Sequence, residues 1–100
     1  MHIQFTVEIS YDPRKNERNI LERGLSFERA ADFDFETAEY RVEYRNSELR
    51  YVALGYLDCR LHLLCYIPTA SGVRVISFRK CNKREAKRHG KPQTIEAADE

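Results

Sequence analysis

The sequence predicts an α+β protein: an antiparallel sheet of four to five strands with two N-terminal helices and a short basic C-terminal helix. Three observations predict it. Ile3, Phe5, Val7 and Ile9 alternate with His2, Gln4, Thr6 and Glu8, the period-2 signature of a strand buried on one face. Two segments opened by helix-capping residues follow. Four runs rich in Tyr, Val, Leu and Ile then succeed one another across short polar turns, the pattern of a meander.

Taken in order, Asp12 and Pro13 supply an N-cap and a first-turn proline, and Gly24 a stop, so a helix is expected over Pro13–Arg23. Its only apolar side is Ile20 and Leu21, which predicts shallow docking. Ser26 caps a second helix over Phe27–Phe33, with Glu28 in its first turn and Phe27, Ala30, Ala31 and Phe33 inward. The acidic stretch Asp32 to Glu39 ends it. Tyr40, Val42 and Tyr44 alternate, then RYVALGY, LHLLCYI and VRVISF form three further strands. The strand Leu61–Ile67 is apolar on both faces and belongs in the sheet interior. Asn82 with Glu85 three residues on has the layout of a capping box, so the last helix should run from Lys83 to His89 before Gly90.

One hundred residues suffice for one domain, expected over residues 1–90, with the acidic tail 91–100 loosely held. No secretory signal and no apolar run of membrane-spanning length is visible, so a cytoplasmic protein without membrane contact is expected. Cys59, Cys65 and Cys81 are odd in number and form no CxxC pair, which argues against a disulfide framework or a zinc site. No Gly-rich phosphate loop, Ser/His/Asp order or paired-carboxylate motif is present either, and neither metal nor other cofactor is expected.

The charge is concentrated. From Arg74 to Lys91 eight Lys/Arg stand against the single Glu85, in a chain whose formal net charge is +1. A solvated terminal helix has this composition too. A guanidinium at the end of a strand, however, presents a fixed fork of donors that can grip a phosphate at two points. Arg74, Lys80, Lys83, Arg84, Lys87 and Arg88 are therefore candidate phosphate-binding residues, and RNA-binding ones if the polyanion is RNA.

With these elements in place, the chain resembles the BrnT family of bacterial ribonuclease toxins from about Ser10 to His89. YDPRKNERNILERG (Tyr11–Gly24) is similar to the family's opening, with Asp12, Lys15, Asn19 and Gly24 in register. LSFERAADF (Leu25–Phe33) matches its Ser-Phe-Glu-x-Ala helix. RYVALGY (Arg50–Tyr56) is similar to its strand with an arginine ahead of a glycine, and RVISFRKCNKREAKRH (Arg74–His89) to its Arg-x-Ile-Ser-x-Arg strand and the Arg-Glu helix behind it. The chain departs from the pattern at Glu22 and Arg23, where the family has Lys-His, at Cys81 for alanine, and at His89 for a tyrosine.

The resemblance implies a RelE-like fold, the toxin half of a type II toxin–antitoxin pair, a cognate antitoxin as partner, with a heterotetramer among the assemblies of such pairs, and RNA as substrate. Metal-independent cleavage, in which the neighbouring 2′-hydroxyl attacks the phosphate, needs a proton taken, a proton given and negative charge offset. Arginine does only the last, since its pKa lies above about 12. Arg50 and Arg79 are the leading clamp residues; the bland reading pairs them with the acidic stretch Asp32 to Glu39. Glu28, Lys15, His62 and His89 are the candidate proton carriers, with Arg23 at the site by its place in the motif. Glu28 also suits a first helical turn, and His62 a sheet-face histidine. Two other readings stay open: a non-catalytic nucleic-acid-binding domain, with Tyr51, Tyr56 and Tyr66 available to stack bases, and an antitoxin-binding protein that has lost catalysis.

Overall fold

The structure, a computed structural model, describes residues 7–96. The chain runs β1 (Glu8–Tyr11), α1 (Pro13–Arg23), a 3₁₀ helix (Phe27–Asp32), β2 (Glu39–Arg45), β3 (Glu48–Leu57), β4 (Arg60–Pro68), β5 (Gly72–Lys80) and α2 (Lys83–Arg88). The alternation from His2 to Thr6 lies outside the described residues. The strands form one sheet in the order β1-β5-β4-β3-β2. β4 is central, as its two apolar faces require. Four strands are antiparallel to their neighbours, while β1 joins β5 in parallel. No helix of the described residues is long and apolar enough to cross a membrane.

α1 begins where the Asp12 carboxylate accepts the Arg14 N–H at 3.0 Å. It ends at Gly24, whose φ of 66° is the left-handed region that glycine enters freely. Its docking differs from the expectation. Leu21 is 86% exposed and Ile20 also points outward. Two asparagines hold the helix instead. The buried Asn19 donates through Nδ2 to the carbonyls of Leu25 and Phe78, both at 2.9 Å, and Asn16 Oδ1 accepts the Phe27 N–H at 2.8 Å. β1 pairs with β5 only over Gly72–Val75, so Asn19 closes the backbone of β5 beyond that point.

The second helix is 3₁₀ rather than α. Three residues per turn align Phe27, Ala30 and Phe33, which are buried, and turn Ala31 outward, against expectation. These side chains pack on Ala53, Leu64, Val75 and Phe78, making one face of the sheet the main core. Phe33 meets Phe78 edge-on at 6.0 Å. Gly55 is required beneath Phe33: a Cβ there would lie 2.7 Å from the ring's Cζ.

The opposite face is covered only in part. α2 seats Ala86 against Leu54, Leu61 and Cys81. Residues 91–95, expected to be loose, are fastened to the same end of the sheet. Leu61 N–H donates to Gln93 O at 2.8 Å, Ile95 N–H to Cys59 O at 2.9 Å, and Thr94 bridges Arg60. The tyrosine Tyr56 donates to Pro92 O at 2.8 Å. Residues 97–100 lie outside the described residues. The half of this face nearer β2 is left open.

Candidate nucleic-acid interface

Alternation along the strands decides which side chains reach the open half-face. In β2 the set Tyr40, Val42 and Tyr44 points to the 3₁₀ side, and Arg41, Glu43 and Arg45 to the other. Register carries the second set onto Arg50 and Val52 of β3, then Leu63 and Cys65 of β4, then Ser77 of β5. These residues, with Ile76 and Lys15 of α1, line one groove. Ile76 is the bulge residue of β5: the register passes from Cys65↔Ser77 to Tyr66↔Val75 and leaves it unpaired.

The groove continues at both ends. Arg41, Val52 and Leu63 are shared with a recess that reaches His89, the C-cap residue of α2. Lys15, Ile76 and Ser77 are shared with a recess along α1 that contains Arg18, Asn19, Glu22 and Arg23. Arg23 in turn borders a recess with Arg79 and Lys80. Arg41, Arg45, Arg50, Lys15, Arg18, Arg23, Arg79 and Lys80 thus line a connected series of recesses that also holds Glu22, Glu39 and Glu43, and the Glu48 carboxylate holds Arg50 at 3.2 Å.

Neither leading arginine pairs with the acidic stretch 32–39. Arg50 is held by Glu48, and its side chain is only 20% exposed. Arg79 is held by Glu85 at two points. Nor do the two converge. Arg79 lies opposite Leu63, Leu63 opposite Leu54, and Leu54 four residues beyond Arg50, which separates their Cα atoms by about 16 Å from strand spacing and rise. They share a face, but they are set to meet different phosphates.

Glu28 lines none of these recesses, although its neighbour Phe27 borders the one along α1. It follows the buried Phe27 in the 3₁₀ helix and accepts the Tyr11 hydroxyl at 2.9 Å, a bond that raises the tyrosine's pKa. His62 is buried; its Nδ1 meets Arg60 O at 2.7 Å, so that nitrogen carries the proton, and burial lowers its pKa. Arg23 donates to Asn19 Oδ1 at 2.7 Å. Arg74, Lys80, Lys83, Arg84, Lys87 and Arg88 are exposed, and of these only Lys80 borders any of these recesses. Burial pushes the Cys81 thiol up to about 11, which suits packing and not nucleophilic chemistry. The tyrosines do not offer a stacking platform: Tyr51 and Tyr66 stack on each other at 5.8 Å on the 3₁₀ side, and Tyr56 is tied to Pro92.

Sequence reasoning missed Arg41 and Arg45. The signal was available in the opposite phase of the alternation that identified β2. Among the described residues no group of three or more His, Cys, Asp or Glu is placed to hold a metal ion.

A small α+β domain face lined by arginine and lysine is suited to a polyanion. Residues 11–85 match the family described as ribonuclease toxin, BrnT, of type II toxin-antitoxin system, and the chain belongs to that family. Its partner class is accordingly a cognate antitoxin. No curated protein and no solved structure matches the chain.

Proposed function

We propose that the protein is an endoribonuclease that cleaves RNA without a metal, and that the strand lies in the groove on the open half-face and continues along α1 toward Arg79. The observation that carries this is the groove itself: Lys15, Arg41, Arg45 and Arg50 around the Ser77 hydroxyl on a rigid sheet. Arg50 is best placed to oppose charge on the phosphoryl oxygens, being anchored on β3 and largely shielded from solvent. Arg79 and Arg23 then hold the phosphodiester chain further along. In the cleavage step the 2′-oxygen bonds to phosphorus, the 5′-oxygen leaves, one proton goes to a base and one comes to the leaving oxygen. Lys15 lines this groove with Arg50, and His89 lines only the adjoining recess, so one of the two residues exchanges one proton at the cleaved phosphate and water exchanges the other. Glu28, whose carboxylate accepts the Tyr11 hydroxyl, is given no proton-transfer role in this reading. An antitoxin that covers this face silences the enzyme by occupying it with complementary charge.

The engagement of the Glu28 carboxylate by the Tyr11 hydroxyl is what favours the second reading, a domain that binds nucleic acid without cutting it. Purified protein freed of antitoxin, given structured RNA in excess EDTA at low salt, separates the two. Cleavage ending in a 2′,3′-cyclic phosphate and a 5′-hydroxyl is expected. Intact RNA with a correctly folded protein would transfer the conclusion to binding alone.

A further inference from the structure

β2 is an outer strand of the sheet, and among the described residues no strand pairs with its free edge: Tyr40, Val42 and Tyr44 are 46%, 51% and 77% exposed, with Lys91 reaching only Glu39 and the Tyr40 hydroxyl donating to Phe35 O. Its register with β3 is unbroken from Glu39 to Arg45, with no proline and no bulge to discourage further pairing. The phase of its free backbone follows from the hairpin. Asn46 and Ser47 have φ of 52° and 63°, a type I′ turn closed by Arg45 and Glu48. Backbone groups of Arg45, Glu43, Arg41 and Glu39 therefore point to β3, and those of Tyr44, Val42 and Tyr40 point outward.

The sequence of this strand, EYRVEYR, is complementary to itself when reversed. Placed antiparallel about Val42, Glu39 meets Arg45 of the second copy, Tyr40 meets Tyr44, Arg41 meets Glu43, and Val42 meets its own equivalent. All charged pairs are of opposite sign and lie on one face; all aromatic and apolar pairs lie on the other. The axis passes through Val42, one of the residues whose N–H and C=O face outward, so the backbone and side-chain patterns agree. Sliding the copies by two residues either way sets Arg41 against its own equivalent or Glu43 against its own, with like charges opposed.

We propose that two copies of this chain associate edge to edge through β2, forming one continuous sheet about a two-fold axis at Val42. The proposal is independent of the ribonuclease reading. It has a consequence for it, because Arg41 and Arg45 of both copies meet at the seam and join the two arginine grooves.

A seven-residue edge is a small interface, so sedimentation equilibrium from about 1 µM to 1 mM should show a reversible dimer with Kd of roughly 1–100 µM. Val42→Pro removes an outward N–H without breaking a β2–β3 bond and should leave a folded monomer. Arg41→Glu should weaken the dimer on the order of 10-fold or more by opposing like charges at two symmetric places. Mixed with Glu43→Arg chains, it should pair again, as a heterodimer. Amide exchange of Tyr40, Val42 and Tyr44 should slow as concentration rises, which needs no variant at all. A wild-type monomer at the highest concentration overturns the proposal. So does a dimer that survives Val42→Pro, or an edge protected only when an antitoxin is bound.

Discussion

Arg79 and Glu85 form a two-point pair, Nη1 to Oε1 at 2.8 Å and Nη2 to Oε2 at 2.7 Å, and the same carboxylate accepts the Asn82 N–H at 3.1 Å. Asn82 returns a bond to the Glu85 N–H at 2.8 Å, completing the capping box. One carboxylate therefore both starts α2 and aims the last arginine of β5. Glu85→Gln should lower stability by about 1–3 kcal/mol, as expected where a charged hydrogen-bond partner is lost, read from the urea midpoint. Acid should do the same. The pair holds the Glu85 carboxyl down at about 2, so its stabilisation is complete above the ordinary carboxylate range and is lost as pH falls toward 2. Equal acid sensitivity in wild type and Glu85→Gln below about pH 4.3 would show that the pair contributes nothing.

His62 acts at higher pH. Burial lowers the imidazole's pKa, opposed chiefly by its hydrogen bond to the Arg60 carbonyl; the charges of Lys80 and Arg60 lower it further, and Asp58 opposes them weakly. A depressed folded pKa means that the unfolded chain binds the proton more readily, so stability is full above about pH 6.5 and declines below it. His62→Gln, which stays neutral and keeps a side-chain N–H donor, should flatten the decline between about pH 6.5 and 5 in a series of urea titrations. An unchanged slope would assign the decline to another group.

Asn19 should be the costliest polar side chain of α1 to remove. It pairs two buried carbonyls, Leu25 O and Phe78 O, that have no alternative donor at the β5 edge. Asn19→Leu should cost about 2–3 kcal/mol despite adding apolar surface, because the orphaned carbonyls outweigh it. Leu21→Ala, at an 86% exposed position, should change stability by less than about 0.5 kcal/mol. The reverse order in thermal or urea unfolding would mean that the helix is docked by its apolar side.

What the sequence revealed follows from this contrast. Caps at Asp12, Asn82 and Gly24 and the strand runs from Tyr40 to Phe78 are local, and the elements they mark came out where expected, whereas of the first alternating run only Glu8 and Ile9 fall in β1. The docking of α1 by Asn16 and Asn19 depends on where the β5 edge ends, and no local pattern carries that. Arg41, Arg45 and Arg50 were separable by alternation, yet their common groove needed the β2–β3 register. Glu28 illustrates the converse. Its motif match grouped it with the arginines, while its carboxylate accepts the Tyr11 hydroxyl, a contact between distant segments that no local pattern carries. The attachment of Pro92, Gln93, Thr94 and Ile95 through backbone groups is something composition does not register.

The groove makes the sharpest functional prediction, since its arginines differ in how they are held. Arg50 is 20% exposed and braced by Glu48, whereas Arg41 is 55% exposed and paired with Glu43 at 3.3 Å. A preorganised donor in a shielded site should act mainly on the transition state, and an exposed one mainly on attraction. Arg50→Ala should then lower the cleavage rate on the order of 100- to 1,000-fold with modest loss of RNA affinity. Arg41→Ala and Arg45→Ala should weaken RNA binding and reduce the salt slope by about 0.7 for each lost phosphate contact on a single strand, leaving the single-turnover rate at saturation within about threefold. Single-turnover cleavage and filter binding across a salt series measure both quantities on the same proteins. If Arg50→Ala lost only affinity, arginine preorganisation at β3 would not be the source of catalysis, and Arg79, fixed by Glu85, would take its place.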